Sequence, residues 1–441
     1  MDVQNVAGKK VLIVGLGLQG GGVGAARFFA KRGANVTITD LKTESELKES
    51  IDVLSAYDIR FVLNGHKLED FINTELIIKG PSVPWTLPEL QEAEKKQIPI
   101  EMETAVFVEK FAKQVVGITG TRGKSTTAQM LFDSLTGGSQ KIHLGGNIPG
   151  QATIELLDRV GPSDLVVLEL SSWQLSGFHR KKISPHIGLF TNFYPDHLDY
   201  YRRLEDYFFD KSAIYRYQNQ NDFFIVNKKL EQRVLKDNPH GKVMEFSQDD
   251  FLNTLQNVEG DHNRENAAAA LMVHKVLGRN LDEAANRISQ FGGLAYRQQI
   301  VFRNKNLIIV NDSSSTTPVA TIQAIKTFKN RNIVLLLGGN SKRLPAEELI
   351  EKLSLVKRIV LLEGSFTNEV FSKLKLNYPE KLSKIYSDLR GALTVALESA
   401  EQATEQTVIL FSPGATSFSS FKNEFDRGKQ FDQAVQLYLK Q

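Results

Sequence analysis

Val115-Val116-Gly117-Ile118-Thr119-Gly120-Thr121-Arg122-Gly123-Lys124-Ser125-Thr126-Thr127 is the stretch from which the chain is read. A β-branched run enters a loop with glycines at 117, 120 and 123. Lys124 and Ser125 follow, then apolar Ala128, Leu131, Phe132 and Leu135 at helical spacing. Strand, glycine loop and helix in that order set the backbone N–H groups of a helix N-terminus around phosphate. Lys124 is placed to reach the terminal phosphates and the Ser125 hydroxyl to sit on Mg²⁺. The strict phosphate-loop pattern has glycine or alanine where Ile118 stands, so the match is to the narrower variant Thr-Gly-Thr-x-Gly-Lys-Ser/Thr. ATP is the expected ligand, held by Gly120, Thr121, Gly123, Lys124, Ser125 and Thr126.

Working outward, 441 residues exceed what one core serves and predict two to four domains. Lys plus Arg (54) nearly balances Asp plus Glu (51), so no field draws the protein to nucleic acid or membrane. The absence of cysteine excludes disulfides, thiolate metal sites and a cysteine nucleophile. Met1 to Lys10 is polar with no signal-peptide core, and no apolar run approaches membrane-spanning length. A soluble cytoplasmic protein, monomeric, is the expectation.

Upstream, Lys10–Val14 reads as a buried strand, followed by Gly15-Leu16-Gly17-Leu18-Gln19-Gly20, a helix to about Arg32, and a strand Asn35–Thr39 ending at Asp40. That is the dinucleotide fingerprint with its acid about 20 residues on. The same turn holds any pyrophosphate, so NAD, FAD and a UDP-sugar are all admissible. Leu76–Lys79 is a further strand before a rigid loop to Pro84, with a helix near Pro88 to Lys96. This first segment ends at about 112.

Downstream, Lys141–Gly150 reads as a glycine-rich loop carrying Asn147. Asp164–Leu170 is a buried strand, and a bare Glu169 inside it costs several kcal/mol unless paired or metal-bound. A strand-end Glu one crossover after the phosphate loop suits Mg²⁺. A strand ending at Asn192 delivers Asp196-His197-x-Asp199 to the edge where open α/β sheets bind ligands. The following helix carries Tyr207 and Lys211, and Lys211 reads as a surface lysine. Asn263 and Asn266 open an alanine-rich helix three residues apart, able to read a planar base or to cap. From about Ala295 strands recur at Leu307–Asn311, Asn332–Leu337, Arg358–Leu362 and Thr407–Phe411, with Thr317 and Pro318 starting a helix. Their ends carry the polar loops 311–317, 338–342 and 412–417. The fold class is therefore α/β, in three segments: 1–112, 113–294 and 295–441.

The ordered set Thr-Gly-Thr-Arg-Gly-Lys-Ser-Thr, Leu168-Glu169-Leu170-Ser171-Ser172, Asp196-His197-x-Asp199, His262-Asn263-x-x-Asn266, Tyr296-Arg297, Asn311-Asp312-Ser313 and Phe421-Lys422-Asn423 with Arg427-Gly428 resembles the Mur ligases. These are the ATP-dependent amide-forming enzymes of peptidoglycan precursor synthesis. The branch it resembles joins UDP-N-acetylmuramoyl-L-alanine to D-glutamate through an acyl phosphate. The resemblance implies a Rossmann-like UDP-binding first domain, a central phosphate-loop ATPase domain with a parallel sheet, and a Rossmann-like third domain for the incoming amino acid. It implies Leu18, Gln19 and Asp40 near the uridine diphosphate, and Asn147 near the reacting carboxyl. Ser125 and Glu169 would hold one Mg²⁺, and His197 with a carbamoylated Lys211 a second. Lys124, Asn147, His197 and Lys211 would be catalytic. Asn263 and Asn266 would face adenine, Arg297 and Asp312 the γ-phosphate side and ribose, and Lys342 and Ser417 the amino acid. Four departures stand out: Arg122 where Asn is usual, Tyr296 for His, Ser314 for a pocket lysine, and Glu424-Phe425 in reversed order. A Mur-type ligase with another amino acid, an NAD-dependent oxidoreductase using the first glycine loop, and a catalytically silent nucleotide binder are the alternatives.

Overall fold

Runs that are mostly aliphatic and buried at every position, such as Val115–Thr119 and Thr407–Phe411, hide both faces of a strand and call for helices on either side. The computed structural model, which describes residues 3–17, 20–148, 150–196, 200–417 and 421–440, arranges such runs in three sheets. In the first, β1 (Lys10–Val14), β2 (Asn35–Thr39), β3 (Ile59–Val62), β4 (Leu76–Lys79) and β5 (Ile100–Glu101) run parallel in the order β3-β2-β1-β4-β5. Strand order reverses between β1 and β4, which opens a crevice at their carboxyl ends.

The second sheet holds β6 (Val115–Thr119), β7 (Ile142–Gly146), β8 (Leu165–Glu169), β9 (Ile187–Phe190), β10 (Phe223–Asn227) and β11 (Lys242–Phe246). Its order is β11-β10-β9-β6-β8-β7, all parallel, so β6 lies between β8 and β9. The third contains β12 (Gln299–Arg303), β13 (Leu307–Asn311), β14 (Asn332–Gly338), β15 (Arg358–Leu362), β16 (Leu382–Tyr386) and β17 (Thr407–Phe411), in the order β12-β13-β17-β14-β15-β16. Only β12 is antiparallel among its pairs. Alternation along these strands feeds two cores: Ile308, Val310 and Leu335 face one helical layer, Ile309, Val334 and Leu336 the other.

The chain forms two compact units, Met1–Asn253 with Asp261–Ile288, and Thr254–Gly260 with Ser289–Gln441. Within the first, the two sheets are fastened by Arg27 bidentate on Glu155 at 2.8 and 3.0 Å, by Trp85 Nε1 donating to Ser176 at 2.9 Å, and by Glu103, which accepts from Ile154 N–H at 3.0 Å. Within the second, Glu259 pairs with Arg303 at 2.5 Å and with Arg331, and Arg303 donates to the Gln256 carbonyl at 3.1 Å.

The expected loop at 141–150 needs correction, since Ile142–Gly146 is an edge strand beside β8. Its glycines serve close approach. Gly146 has φ +92°, and a Cβ there would lie 2.0 Å from the Glu169 carbonyl oxygen. We expect Gly146→Ala to lower the unfolding free energy by about 3 kcal/mol, combining left-handed strain with a backbone clash. Gly138→Ala, where a Cβ meets nothing within 4 Å, is the control and should change little; denaturant midpoints check both.

Candidate active site

The β6 loop is held through its backbone. Thr121 N–H donates to the Asn192 carbonyl at 2.9 Å and Arg122 N–H to Asn192 Oδ1 at 2.8 Å, while Thr191 Oγ1 donates to the Arg122 carbonyl at 2.7 Å. Gly123 (φ +81°) caps the helix Lys124–Leu135 without a side-chain partner for its first N–H groups, the arrangement that receives an anion. A Cβ at Gly123 would stand 2.3 Å from Asn266 Oδ1. Asn266 lies on the helix Asp261–Val276 and donates to Asn263 Oδ1 at 3.4 Å, both side chains being buried. The structure therefore brings Asn263 and Asn266 to the phosphate loop.

Two lysines converge on the same loop. Lys124 Nζ donates to the Gly120 and Thr121 carbonyls, each at 3.1 Å, and Lys211 Nζ donates to the Gly120 carbonyl at 2.8 Å. Lys211 is 1% exposed, which corrects its reading as a surface lysine. The helix Leu204–Ser212 turns Tyr207, Phe208, Lys211 and Ser212 inward, and the Lys211 ammonium lies 4.6 Å from the centre of the Tyr207 ring. Burial first, and then the Lys124 charge, hold the Lys211 pKa well below the ordinary lysine value, against Asp196, Asp210 and Glu169. Burial also pushes the neighbouring Asp210 carboxyl up to about 6, although Tyr201 OH donates to it at 2.9 Å. Glu169, buried at the end of β8, accepts from Asn147 Nδ2 at 3.1 Å.

Among the described residues no three His, Asp or Glu side chains come together to hold a metal ion. A lysine ammonium has no lone pair to offer a cation. Ser125 and Glu169 supply oxygen donors suited to Mg²⁺, and Lys211 as an ammonium adds none. His197, Leu18 and Gln19 lie outside the described residues.

A cleft of about 560 Å³ runs from the glycine loop of β1 and the loop after β4 to Asn147 and Trp173. Asp40 lines it with its carboxylate turned onto the glycine loop, accepting from Leu16 and Gly17 N–H at 2.9 and 3.2 Å and from Lys42 N–H at 3.0 Å. Glu103 lines the cleft as well, and burial pushes its carboxyl up to about 7. Sequence reasoning missed Glu103, and it missed Lys79, which is buried at the end of β4. The one available signal for Lys79 was a lysine closing an otherwise aliphatic strand.

In the second unit the loops after β13, β14 and β17 meet. Asp312 accepts from Ser315 Oγ at 2.5 Å, Ser412 Oγ at 2.7 Å and Gln298 N–H at 3.0 Å. Lys342 Nζ donates to Thr316 Oγ1 at 3.0 Å, and Asn340 Nδ2 to the Ser417 carbonyl at 3.3 Å. Arg297 is exposed, and its charge favours the ionised form of Asp312. Arg427, fully buried, donates to Ser313 Oγ and to the carbonyls of Ser313 and Ala415, tying two of these loops together.

Residues 118–277 match the Mur ligase middle domain and residues 9–101 the N-terminal domain of MurD-like Mur ligases. UDP-N-acetylmuramoylalanine–D-glutamate ligases are 32% identical in Borreliella afzelii (99% of this chain, 100% of that one), 33% in a Roseiflexus species (98% and 99%) and 34% in Streptococcus agalactiae (96% of each). The chain belongs to the Mur ligase family. Solved Mur ligases share its fold: the UDP-N-acetylmuramate–alanine ligase of Thermotoga maritima (TM-score 0.57, 21% identity, 98% of this chain and 100% of that) and the ADP complex of the MurF ligase of the same organism (0.55, 16%, 99% and 100%). No helix among the described residues is long and apolar enough to cross a membrane.

The departures of this Mur ligase acquire physical reasons. The Arg122 side chain is exposed while its backbone carries the loop contacts, so the side chain at 122 does not set the loop's shape. Tyr296 (φ +62°) packs on Gly428, where a Cβ would meet the ring at 2.4 Å, and its ring centre lies 6.4 Å from that of Phe425, so two departures are neighbours. Ser314 N–H donates to the Tyr296 carbonyl at 2.9 Å, and nothing in the structure explains the loss of a lysine there.

Burial pushes the Asp312 carboxyl up to about 6. The folded state thus keeps a proton that the unfolded chain releases near pH 4, so Asp312 contributes less stability as pH rises from about 4 to about 6. Asp312→Asn should lose this dependence and gain about 2 kcal/mol on the parent between about pH 4 and pH 7. Urea midpoints across that range check it; a constant difference would mean ordinary ionisation.

Proposed function

We propose that this Mur ligase joins UDP-N-acetylmuramoyl-L-alanine to D-glutamate, converting ATP to ADP and phosphate, in cytoplasmic peptidoglycan precursor synthesis. The reading is carried by the cleft, which leads from the switch-point glycine loop to Asn147, whose amide touches Glu169 beside the phosphate loop. A UDP-linked carboxylate lying along it would present its reacting end to the terminal phosphate of ATP. Relatives matched over nearly their whole length and named for this reaction, and a MurF neighbour in complex with ADP, support it. The domains assigned are residues 1–112 for the UDP substrate, 113–294 for ATP and 295–441 for the amino acid.

Leu18, Gln19 and Asp40 are assigned to the uridine diphosphate end. Gly120, Thr121, Gly123, Lys124, Ser125 and Thr126 cradle the phosphates, with Asn263 and Asn266 toward adenine. Arg297 and Asp312 are assigned to the γ-phosphate side and the ribose. The substrate carboxylate attacks the γ-phosphorus in line and ADP leaves; Lys124 neutralises charge on the transferring oxygens. The amine of D-glutamate, oriented by Lys342 and Ser417, attacks the acyl phosphate carbon, and phosphate departs from the tetrahedral intermediate. Asn147 orients the reacting carboxyl.

Ser125, Glu169, His197 and Lys211 would hold Mg²⁺, which supplies charge neutralisation at the phosphate oxygens. Lys211 fits only after modification: its neutral amine adds to CO₂, a proton leaves, and the resulting carbamate is a hard oxygen anion beside Lys124. The depressed Lys211 pKa favours that neutral amine.

Phosphate release with ATP, Mg²⁺ and UDP-N-acetylmuramoyl-L-alanine, across a panel of D- and L-amino acids, tests the whole assignment. Turnover dependent on D-glutamate is expected; turnover with another amino acid relocates the specificity, and none with any acceptor overturns the reading. Lys124→Ala should reduce turnover by about 10³-fold or more, in line with loss of a charge acting on the transferring phosphoryl group. Lys211→Ala should fall below about 1% of parent activity, unmoved by bicarbonate but partly restored by a short carboxylic acid that replaces the missing ligand oxygens. Parent-like activity in that variant removes the metal role.

A further inference from the structure

Lys79 closes β4 with 1% of its surface exposed, and its ammonium is surrounded by its own loop. Nζ donates to the carbonyls of Gly80 at 2.9 Å, Pro81 at 3.3 Å and Val83 at 2.5 Å, one for each N–H. It lies 4.7 Å from the ring centre of Trp85, whose other neighbours are the Arg180 guanidinium, 4.1 Å from the ring, and Ser176 on the helix Ser172–Lys181. Three carbonyl dipoles converging on one point repel unless a cation stands between them, so the ammonium dictates the curl of residues 80–83.

The other side of that curl is functional ground. Gly80, Pro81, Ser82, Val83 and Pro84 form one wall of the cleft. Val83 also abuts the glycine loop, its Cγ2 lying 3.2 Å from where a Cβ on Gly15 would be. An apolar side chain in place of Lys79 would fill the same volume but leave the carbonyls without their common partner. The N–H donors of Lys79 are therefore tied to the shape of the wall rather than to packing; burial draws its pKa down to about 7, with Asp210 favouring the ammonium form that supplies all three.

We propose that Lys79 is a positioning residue that fixes the Gly80–Pro84 wall against the glycine loop and thereby sets affinity for the UDP-linked substrate. This rests on the reading that the cleft binds that substrate. Among the described residues Lys79 donates only to carbonyls of its own loop, so its influence falls first on binding; its route toward the chemistry is Asp210, a carboxylate whose charge acts on both Lys79 and Lys211.

The test is steady-state kinetics of the full chain carrying Lys79→Met, and of Lys79→Arg, which keeps the charge but spreads its donors over a planar fork. Expected for Lys79→Met is a rise of tenfold or more in KM for UDP-N-acetylmuramoyl-L-alanine, with KM for ATP within twofold and kcat within threefold of the parent. Lys79→Arg should raise the same KM at least threefold, and it decides the matter if the methionine variant does not fold. An unchanged KM for the UDP substrate in either folded variant overturns the proposal, as does an equal rise in both KM values with a lowered Tm. Calorimetric titration of the parent with UDP-N-acetylmuramoyl-L-alanine separates the two levels. Absence of binding there removes the cleft assignment itself, whereas binding that Lys79→Met leaves intact removes only the role of Lys79.

Discussion

Two ammonium groups share one carbonyl oxygen, that of Gly120, and much of the first unit is arranged around this crowding. Like charges a few ångströms apart in a partly dry interior repel by roughly 3–4 kcal/mol, so one of the two must be answered by an anion or give up its proton. Lys124 stands at a helix N-terminus, where a cation is unwelcome unless a phosphate joins it. Lys211 is the more buried, and the carboxylates of Asp196, Asp210 and Glu169 gather around it without cancelling the effect of burial. Loop shape and charge are coupled here. Thr121 exchanges hydrogen bonds with the Tyr194 backbone at 3.0 and 3.2 Å and accepts from Tyr207 OH at 3.4 Å, so the helix that buries Lys211 also braces the loop.

What the sequence made legible follows from burial on two faces. β6, β13, β15 and β17 are aliphatic runs bounded by polar or glycine residues, and only a central parallel strand satisfies that pattern. Glu169 was legible for the same reason, since a carboxylate ending such a run must meet a partner. β12 and β16 escaped notice because they are edge strands with half-exposed mixtures, Gln-Ile-Val-Phe-Arg and Leu-Ser-Lys-Ile-Tyr. β7 was hidden by Gly145 and Gly146, whose smallness answers a neighbour and not a turn.

Lys211, Lys79 and Glu103 mark the boundary of local reasoning. The helix bearing Lys211 also carries Glu205, Asp206 and Asp210, and nothing in that spacing distinguishes the charge to be buried. The difference is made by contact with Gly120 in the loop after β6, 91 residues away in the chain. Arg427 is similar: the Arg-Gly pair signalled a family, while its work, joining the loops of Ser313 and Ala415, depends on strands brought together by crossover.

The excursion of residues 254–260 into the second unit has a bearing on how such a protein is taken apart or recombined. The chain passes between units three times, after Asn253, after Gly260 and after Ile288. A fragment starting at residue 289 loses the carboxylate that Arg303 and Arg331 share. A fragment ending at residue 253 loses the asparagine pair that rests on Gly123. No single cut therefore releases either unit whole, and exchanging the second unit for that of another ligase takes two grafted segments instead of one crossover.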